Sequence, residues 1–107
     1  MILFTGAATA LITPFKDGKI DYVNMGKLIE WQIEQGIDAL VVCGTTGEAS
    51  TLSAKEKVQL TKFAVDLAAG RVPVIAGTGG NCTESTLTLT QEIESLGVDG
   101  LLIITPY

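Results

Sequence analysis

Apolar and polar positions along this chain alternate between two regimes. Short, nearly continuous apolar runs recur, and between them lie stretches with apolar residues at helical spacing. The first run, Gly6-Ala7-Ala8-Thr9-Ala10-Leu11-Ile12-Thr13-Pro14, reads as a strand closed by Pro14. Phe15 to Ile20, with Lys16-Asp17-Gly18-Lys19, reads as a turn. Asp21 is a suitable N-cap for a helix from Tyr22 to about Gln35. Its buried stripe is Met25, Leu28, Ile29 and Gln32/Ile33, and Gly36 stands at the C-cap position. Ile37 to Cys43 is a second strand, apolar apart from Asp38. Ser53-Ala54-Lys55-Glu56 is a capping box that opens a helix with Leu60, Phe63, Ala64 and Leu67 on one face, ended by Gly70. Val72-Pro73-Val74-Ile75-Ala76-Gly77 is a third strand. A helix from about Thr83 to Leu96 carries Thr86, Leu89, Thr90, Ile93 and Leu96 on one face. Leu101-Leu102-Ile103-Ile104 is a fourth strand, stopped by Pro106.

The order is βαβαβαβ, and strands apolar on both faces imply a parallel sheet covered by helices. An internal repeat narrows the class. Gln35-Gly36-Ile37-Asp38-Ala39-Leu40-Val41-Val42 matches Leu96-Gly97-Val98-Asp99-Gly100-Leu101-Leu102-Ile103, two βα units further on. Alternate strands of a (β/α)8 barrel share packing layers, so a two-unit repeat is natural there. A full barrel needs about 250 residues, and this chain has 107. The expected fold is α/β, the first half of a (β/α)8 TIM barrel with four parallel strands and three helices. Residues 1–107 are expected to be the N-terminal half of one barrel domain, with the remainder of the barrel absent.

Composition removes several function classes. The net charge is −5 and no basic stripe exists, which disfavours nucleic acid. Lys and Arg are too sparse for an anionic membrane surface, and no apolar run is long enough to span a bilayer. With no targeting segment evident, the expectation is a cytoplasmic protein whose Cys43 and Cys82 are reduced thiols. The chain has no His, so a Ser-His or Cys-His nucleophile pair cannot form within it. No Cys/His/carboxylate cluster suggests a metal site.

Candidate chemistry gathers at the strand ends. Gly44-Thr45-Thr46-Gly47-Glu48 places two hydroxyls and several backbone N–H groups directly after the second strand. Such a loop can hold a carboxylate without a cation, although a plain βα turn with a helix cap has the same composition. Glu48 fits an acid–base role or simply the first turn of a helix. Gly77-Thr78-Gly79-Gly80-Asn81 and Thr105-Pro106-Tyr107 follow the third and fourth strands. In a barrel all three segments lie on the C-terminal rim, where active sites form. A dinucleotide fingerprint at Gly77-x-Gly79, with Asp99 as the ribose acid, closes the wrong strand for that role. No lysine lies in a strand: Lys16 and Lys19 fall in a turn, and Lys27, Lys55, Lys57 and Lys62 on helices, all expected at the surface.

These residues together resemble the dihydrodipicolinate synthase (4-hydroxy-tetrahydrodipicolinate synthase) family over the whole chain. The resemblance rests on four segments in order: Gly6 with Ala10-Leu11-Ile12-Thr13-Pro14-Phe15; Gly44-Thr45-Thr46-Gly47-Glu48; Arg71-Val72-Pro73-Val74-Ile75-Ala76-Gly77-Thr78-Gly79 with Asn81; and Thr105-Pro106-Tyr107. It implies a lyase of the Schiff-base aldolase type, a homotetramer (a dimer of dimers). The family condenses pyruvate with aspartate-4-semialdehyde on the route to diaminopimelate and lysine. It implies Thr45 as a member of a proton relay and Thr45 and Thr46 as binders of the pyruvate carboxylate. Asn81 and Tyr107 are implied at the dimer interface and regulatory site. No cofactor is implied: the pyruvate imine forms on a lysine of a later strand, outside this chain, so the 107 residues alone are expected to be inactive. Lysine-inhibited members carry His at the positions of Ala54 and Lys57 and Glu at that of Ser85, so weak sensitivity or insensitivity to lysine is expected. Alternatives of the same superfamily are N-acetylneuraminate lyase, which usually has Ser where Thr45 stands, and 2-keto-3-deoxy sugar acid aldolases. A non-catalytic half-barrel is the alternative of a different class.

Overall fold

The computed structural model describes residues 6–44, 52–78 and 83–102. Its elements in chain order are β1 (Ala8–Ala10), β2 (Phe15–Lys16), β3 (Lys19–Ile20), α1 (Tyr22–Glu34), β4 (Ala39–Val42), α2 (Ala54–Ala68), β5 (Val74–Gly77), α3 (Thr83–Glu94) and β6 (Gly100–Leu102).

The expected turn between the first strand and the first helix is a small hairpin. β2 and β3 pair antiparallel, Phe15 with Ile20 and Lys16 with Lys19. The two residues between them, Asp17 and Gly18, both have positive φ, at 53° and 77°. That is the mirror-image turn that matches strand twist, and Asp-Gly favours it. Both expected N-caps are present. The Asp21 carboxylate accepts from the Asn24 backbone N–H at 3.1 Å. Ser53 and Glu56 exchange the two bonds of a capping box at 2.9 and 3.1 Å. Gly36, just past α1, has φ 83°, as a left-handed helix stop requires. After α2 the chain turns left-handed one residue earlier than expected, at Ala69 (φ 49°), and Gly70 follows at 77°.

The four long-range strands form one parallel sheet in the order β1-β4-β5-β6. Each new strand joins beside its predecessor and on the same side. Parallel crossovers are right-handed, so all three helices fall on one face. α1 packs on α2, and α2 on α3, as a single layer. A doubly wound sheet would reverse direction at a switch point and carry helices on both faces; this sheet does not reverse. Four parallel strands and three helices wound in one direction are the first half of a (β/α)8 barrel.

The two faces of the sheet confirm this. Leu40, Val42, Val74 and Ala76 point into the helix layer and are buried, against Met25, Ile29, Leu60, Ala64 and Ile93. Truncating a fully buried side chain such as Ile29 to Ala costs about 2–5 kcal/mol. The other face carries a row running across all four strands, Ala10, Val41, Ile75 and Gly100, none of them buried. Ile12 is 58% exposed and Leu102 43%. In a closed barrel this face lines the interior.

The strands are shorter than the apolar runs because their flanks pair outside the regular ladder. Leu11 N–H donates to the Val41 carbonyl at 2.9 Å, and Leu40 N–H to that of Pro73 at 3.0 Å. At the N-terminal end of the sheet the repeat acquires a physical meaning. Asp38 accepts the Ala7 N–H on its carboxylate at 2.8 Å and donates its own N–H to the Ala7 carbonyl at 3.1 Å. Asp99 does the same to Val74, at 2.9 Å for each bond. Each aspartate thus clamps the start of the preceding strand. Gly6, at φ 110°, passes so close to the Asp38 carboxylate that a side chain there would overlap it. The middle seam has Pro73 at the comparable place, with neither N–H nor carboxylate. Further out, Arg71 ties α1 to the end of α2. Its guanidinium donates to both Glu30 oxygens, at 3.1 and 2.7 Å, and to the carbonyls of Ala68 and Leu67. The Arg71 hydrogen bonds hold the Glu30 carboxyl below its usual range.

Candidate active site

The C-terminal ends of β4, β5 and β6 meet at one rim, formed by Cys43-Gly44, Gly77-Thr78 and Leu102. Thr45, Thr46, Glu48, Asn81 and Tyr107 all lie outside the described residues, as do Cys82 and residues 103–106.

β4 ends on an unusual conformation. Cys43 has φ +58°, in the left-handed region that non-glycine residues seldom adopt. Its side chain is buried in the helix layer, with Sγ 3.8 Å from Thr61 Oγ1 and 3.9 Å from the Lys57 carbonyl oxygen. Burial pushes the thiol pKa up, outweighing the opposing hydrogen bond from Thr61. Cys43 is therefore a protonated, structural thiol rather than a nucleophile. The neighbouring strand makes room for this turn. A Cβ on Gly77 would overlap the Cys43 carbonyl oxygen and lie 2.9 Å from its carbonyl carbon. Gly44 is buried and would meet only ordinary contacts, with Val41 at 3.5 Å and Leu102 at 3.9 Å.

Thr78 belongs to the core. It is 1% exposed, its N–H donates to the Leu102 carbonyl at 3.1 Å, and its hydroxyl accepts from Thr90 at 3.0 Å. Of the segment after β5, then, Gly77 and Thr78 support the rim and offer no hydroxyl to a ligand. Tyr22, at the start of α1, packs edge-on against Phe63 with ring centroids 5.0 Å apart. Its phenol oxygen is buried without a hydrogen-bond partner, and burial raises its pKa.

Two other sequence expectations can be placed. Asp99, the acid a dinucleotide site would need, clamps Val74 at the opposite end of the sheet. None of the six lysines lies in the parallel sheet. Lys16, Lys19, Lys27, Lys55 and Lys62 are exposed or half-buried, as is Lys57, and Lys62 pairs with Asp66 at 2.7 Å. Among the described residues no group of His, Cys, Asp or Glu could hold a metal ion, and no helix is long and apolar enough to cross a membrane. Sequence reasoning missed Cys43 and Gly77 as a pair. The available signal was a small residue closing each of two adjacent strands.

A singly wound α/β half-barrel with small residues along one rim is part of the (β/α)8 architecture, in whose enzymes the active site sits at the C-terminal strand ends. The chain belongs to the dihydrodipicolinate synthetase family, whose model matches residues 3–107. A 4-hydroxy-tetrahydrodipicolinate synthase of Clostridium novyi is 51% identical over 107 residues, all of this chain and 36% of that protein. The crystal structure of dihydrodipicolinate synthase from Aquifex aeolicus superposes with a TM-score of 0.94 at 51% identity, covering 97% of this chain and 36% of that one. A chloride-inhibited dihydrodipicolinate synthase from Acinetobacter baumannii, solved with pyruvate, gives a TM-score of 0.92 at 48% identity, over 95% of this chain and 35% of that one. The chain thus spans about a third of the length of the curated relatives it matches.

Proposed function

We propose that this chain supplies the first half of a 4-hydroxy-tetrahydrodipicolinate synthase, joining pyruvate to aspartate-4-semialdehyde through a Schiff base in diaminopimelate and lysine biosynthesis. The observation that carries the reading is the match of the whole chain, at about half identity, to synthases of that name. In this reading the amine of a lysine outside the chain adds to the pyruvate carbonyl and water leaves. The resulting imine loses a C3 proton, and that carbon attacks the aldehyde. Thr45 passes protons between tyrosines, and Thr46, with nearby backbone N–H groups, holds the pyruvate carboxylate. No cofactor takes part. The assembly is a cytoplasmic homotetramer, with Asn81 and Tyr107 at the tight dimer interface. The missing acid at Ser85 and the like charge of Lys57 make it weakly sensitive or insensitive to lysine, so inhibition by sub-millimolar lysine would contradict that part.

The test is a coupled assay on a full-length enzyme carrying this sequence. Turnover of pyruvate with aspartate-4-semialdehyde is expected. Cleavage of N-acetylneuraminate or of a 2-keto-3-deoxy sugar acid at a higher kcat/KM would assign a sister activity instead.

A further inference from the structure

We infer that Cys43 and Gly77 are a pair of positioning residues that set the direction in which the chain leaves β4 at Gly44. The functional part of this inference, that the direction governs pyruvate binding, rests on the function proposed above.

Three observations converge on the pair. The Cys43 backbone is left-handed at φ +58°, where a residue with a Cβ is held only if its surroundings fix it. That conformation turns the Cys43 carbonyl toward β5, into the space where Gly77 has no side chain. A methyl group there would overlap the carbonyl oxygen and stand 3.3 Å from the Gly44 nitrogen, and both are backbone that no rotamer change can move aside. On the other side, the Cys43 thiol sits between Thr61 Oγ1 and the Lys57 carbonyl of α2. One strand and one helix therefore hold this residue from both sides. Thr45 and Thr46, the proposed carboxylate binders, follow Gly44 directly in the sequence.

The pair makes a prediction that a merely structural role does not. In the full-length enzyme, Gly77→Ala forces the Cys43 carbonyl away and rotates the exit of the loop. A displacement of about 1 Å at a site of this kind costs on the order of 100-fold. The pyruvate KM is expected to rise at least about tenfold within that range, together with a lower thermal midpoint. Adding Cys43→Gly gives the backbone freedom to turn the carbonyl away from the introduced methyl group without strain. The double variant is expected to regain the thermal midpoint but not the pyruvate KM. A wild-type KM in either folded variant overturns the inference, and so does a double variant that recovers both quantities. Should Gly77→Ala fail to fold, the double variant alone decides. Failure of the proposed function shows differently: borohydride would then not trap pyruvate on the wild-type enzyme. In that case the inference stands if a crystal structure of either variant shows residue 43 outside the left-handed region, and fails if its backbone is unchanged.

Discussion

The two ends of the parallel sheet are built on opposite terms. At the N-terminal end, carboxylates close the seams: Asp38 and Asp99 each grip both backbone groups of a residue on the preceding strand. At the C-terminal end, small residues and a left-handed backbone close the corresponding distance, with the Cys43 carbonyl seated on Gly77. The first arrangement satisfies polar groups locally and asks nothing of the rest of the chain. The second holds a residue in an uncommon conformation two positions ahead of Thr45 in the sequence. In a barrel the first end reads as stability and the second as function. Substitutions at the two ends should therefore separate into those that change how firmly the protein folds and those that change what the folded protein does.

The largest effect is expected at Thr45. Replacing it with Val in the full-length enzyme keeps the shape and removes the hydroxyl. A relay role predicts a loss of about 10²–10⁴-fold in turnover, with little change in thermal midpoint. Turnover within a few-fold of the parent would reduce Thr45 to a turn-shaping residue.

Next come the clamps. Asp38→Ala and Asp99→Ala each remove a carboxylate acceptor and leave one backbone N–H to find water. The expected cost is about 1 kcal/mol each, nearly additive because the two lie on separate seams, with an unchanged pyruvate KM. Chemical denaturation and steady-state kinetics on the same samples check this. A KM shift from either substitution would erase the contrast between the two ends.

Most of the architecture was legible in the sequence because it depends on local rules. Asp21 and Ser53-Glu56 cap α1 and α2 as their types demand, and the helical stripes at Met25, Ile29, Leu60 and Ala64 are the buried core. The Gly-x-Asp repeat was visible as a pattern, but its meaning was not. A clamp joins residues 31 and 25 positions apart, and no local spacing records that. The hairpin at Asp17-Gly18 shows in the sequence only as a turn, because strands of two residues carry almost no periodic signal. Cys43 escaped for a different reason. Its left-handed backbone depends on the absence of a side chain on the next strand, which becomes visible only when β4 and β5 are paired. Thr78 reads in the sequence as part of the segment after β5, yet it turns inward to Thr90. The register carries the alternation Val74, Ala76, Thr78 one step beyond the strand.

Smaller effects sharpen the picture of the folded half. Ser53→Ala removes the N-cap of α2 and should cost about 1 kcal/mol, read as a lower denaturation midpoint without a kinetic change. Acid stability follows from Asp21 and Glu30, whose pKa values are both lowered on folding. The Asn24 backbone N–H is the main cause for Asp21, and the Arg71 hydrogen bonds for Glu30. A lowered carboxyl pKa contributes stability above its unfolded value, 3.8 for Asp and 4.5 for Glu. That contribution is lost as pH falls through the lower folded value. Stability should therefore rise with pH across this acid range. Asp21→Asn and Glu30→Gln should each flatten that slope while leaving stability above it largely pH-independent. An unchanged acid limb would count against both interactions.

Borohydride trapping with pyruvate, read by intact mass, decides whether the Schiff-base lysine of the proposed reaction lies outside residues 1–107. The 107-residue chain is incubated alone, and then with a separately expressed remainder of the barrel. Its six lysines lie on helices and in the hairpin, and none lies in the parallel sheet. Only slow, scattered labelling of the chain alone is expected. With both halves present, one stoichiometric adduct is expected, on the remainder. A stoichiometric adduct on a single lysine within residues 1–107 would overturn the proposed division of the site.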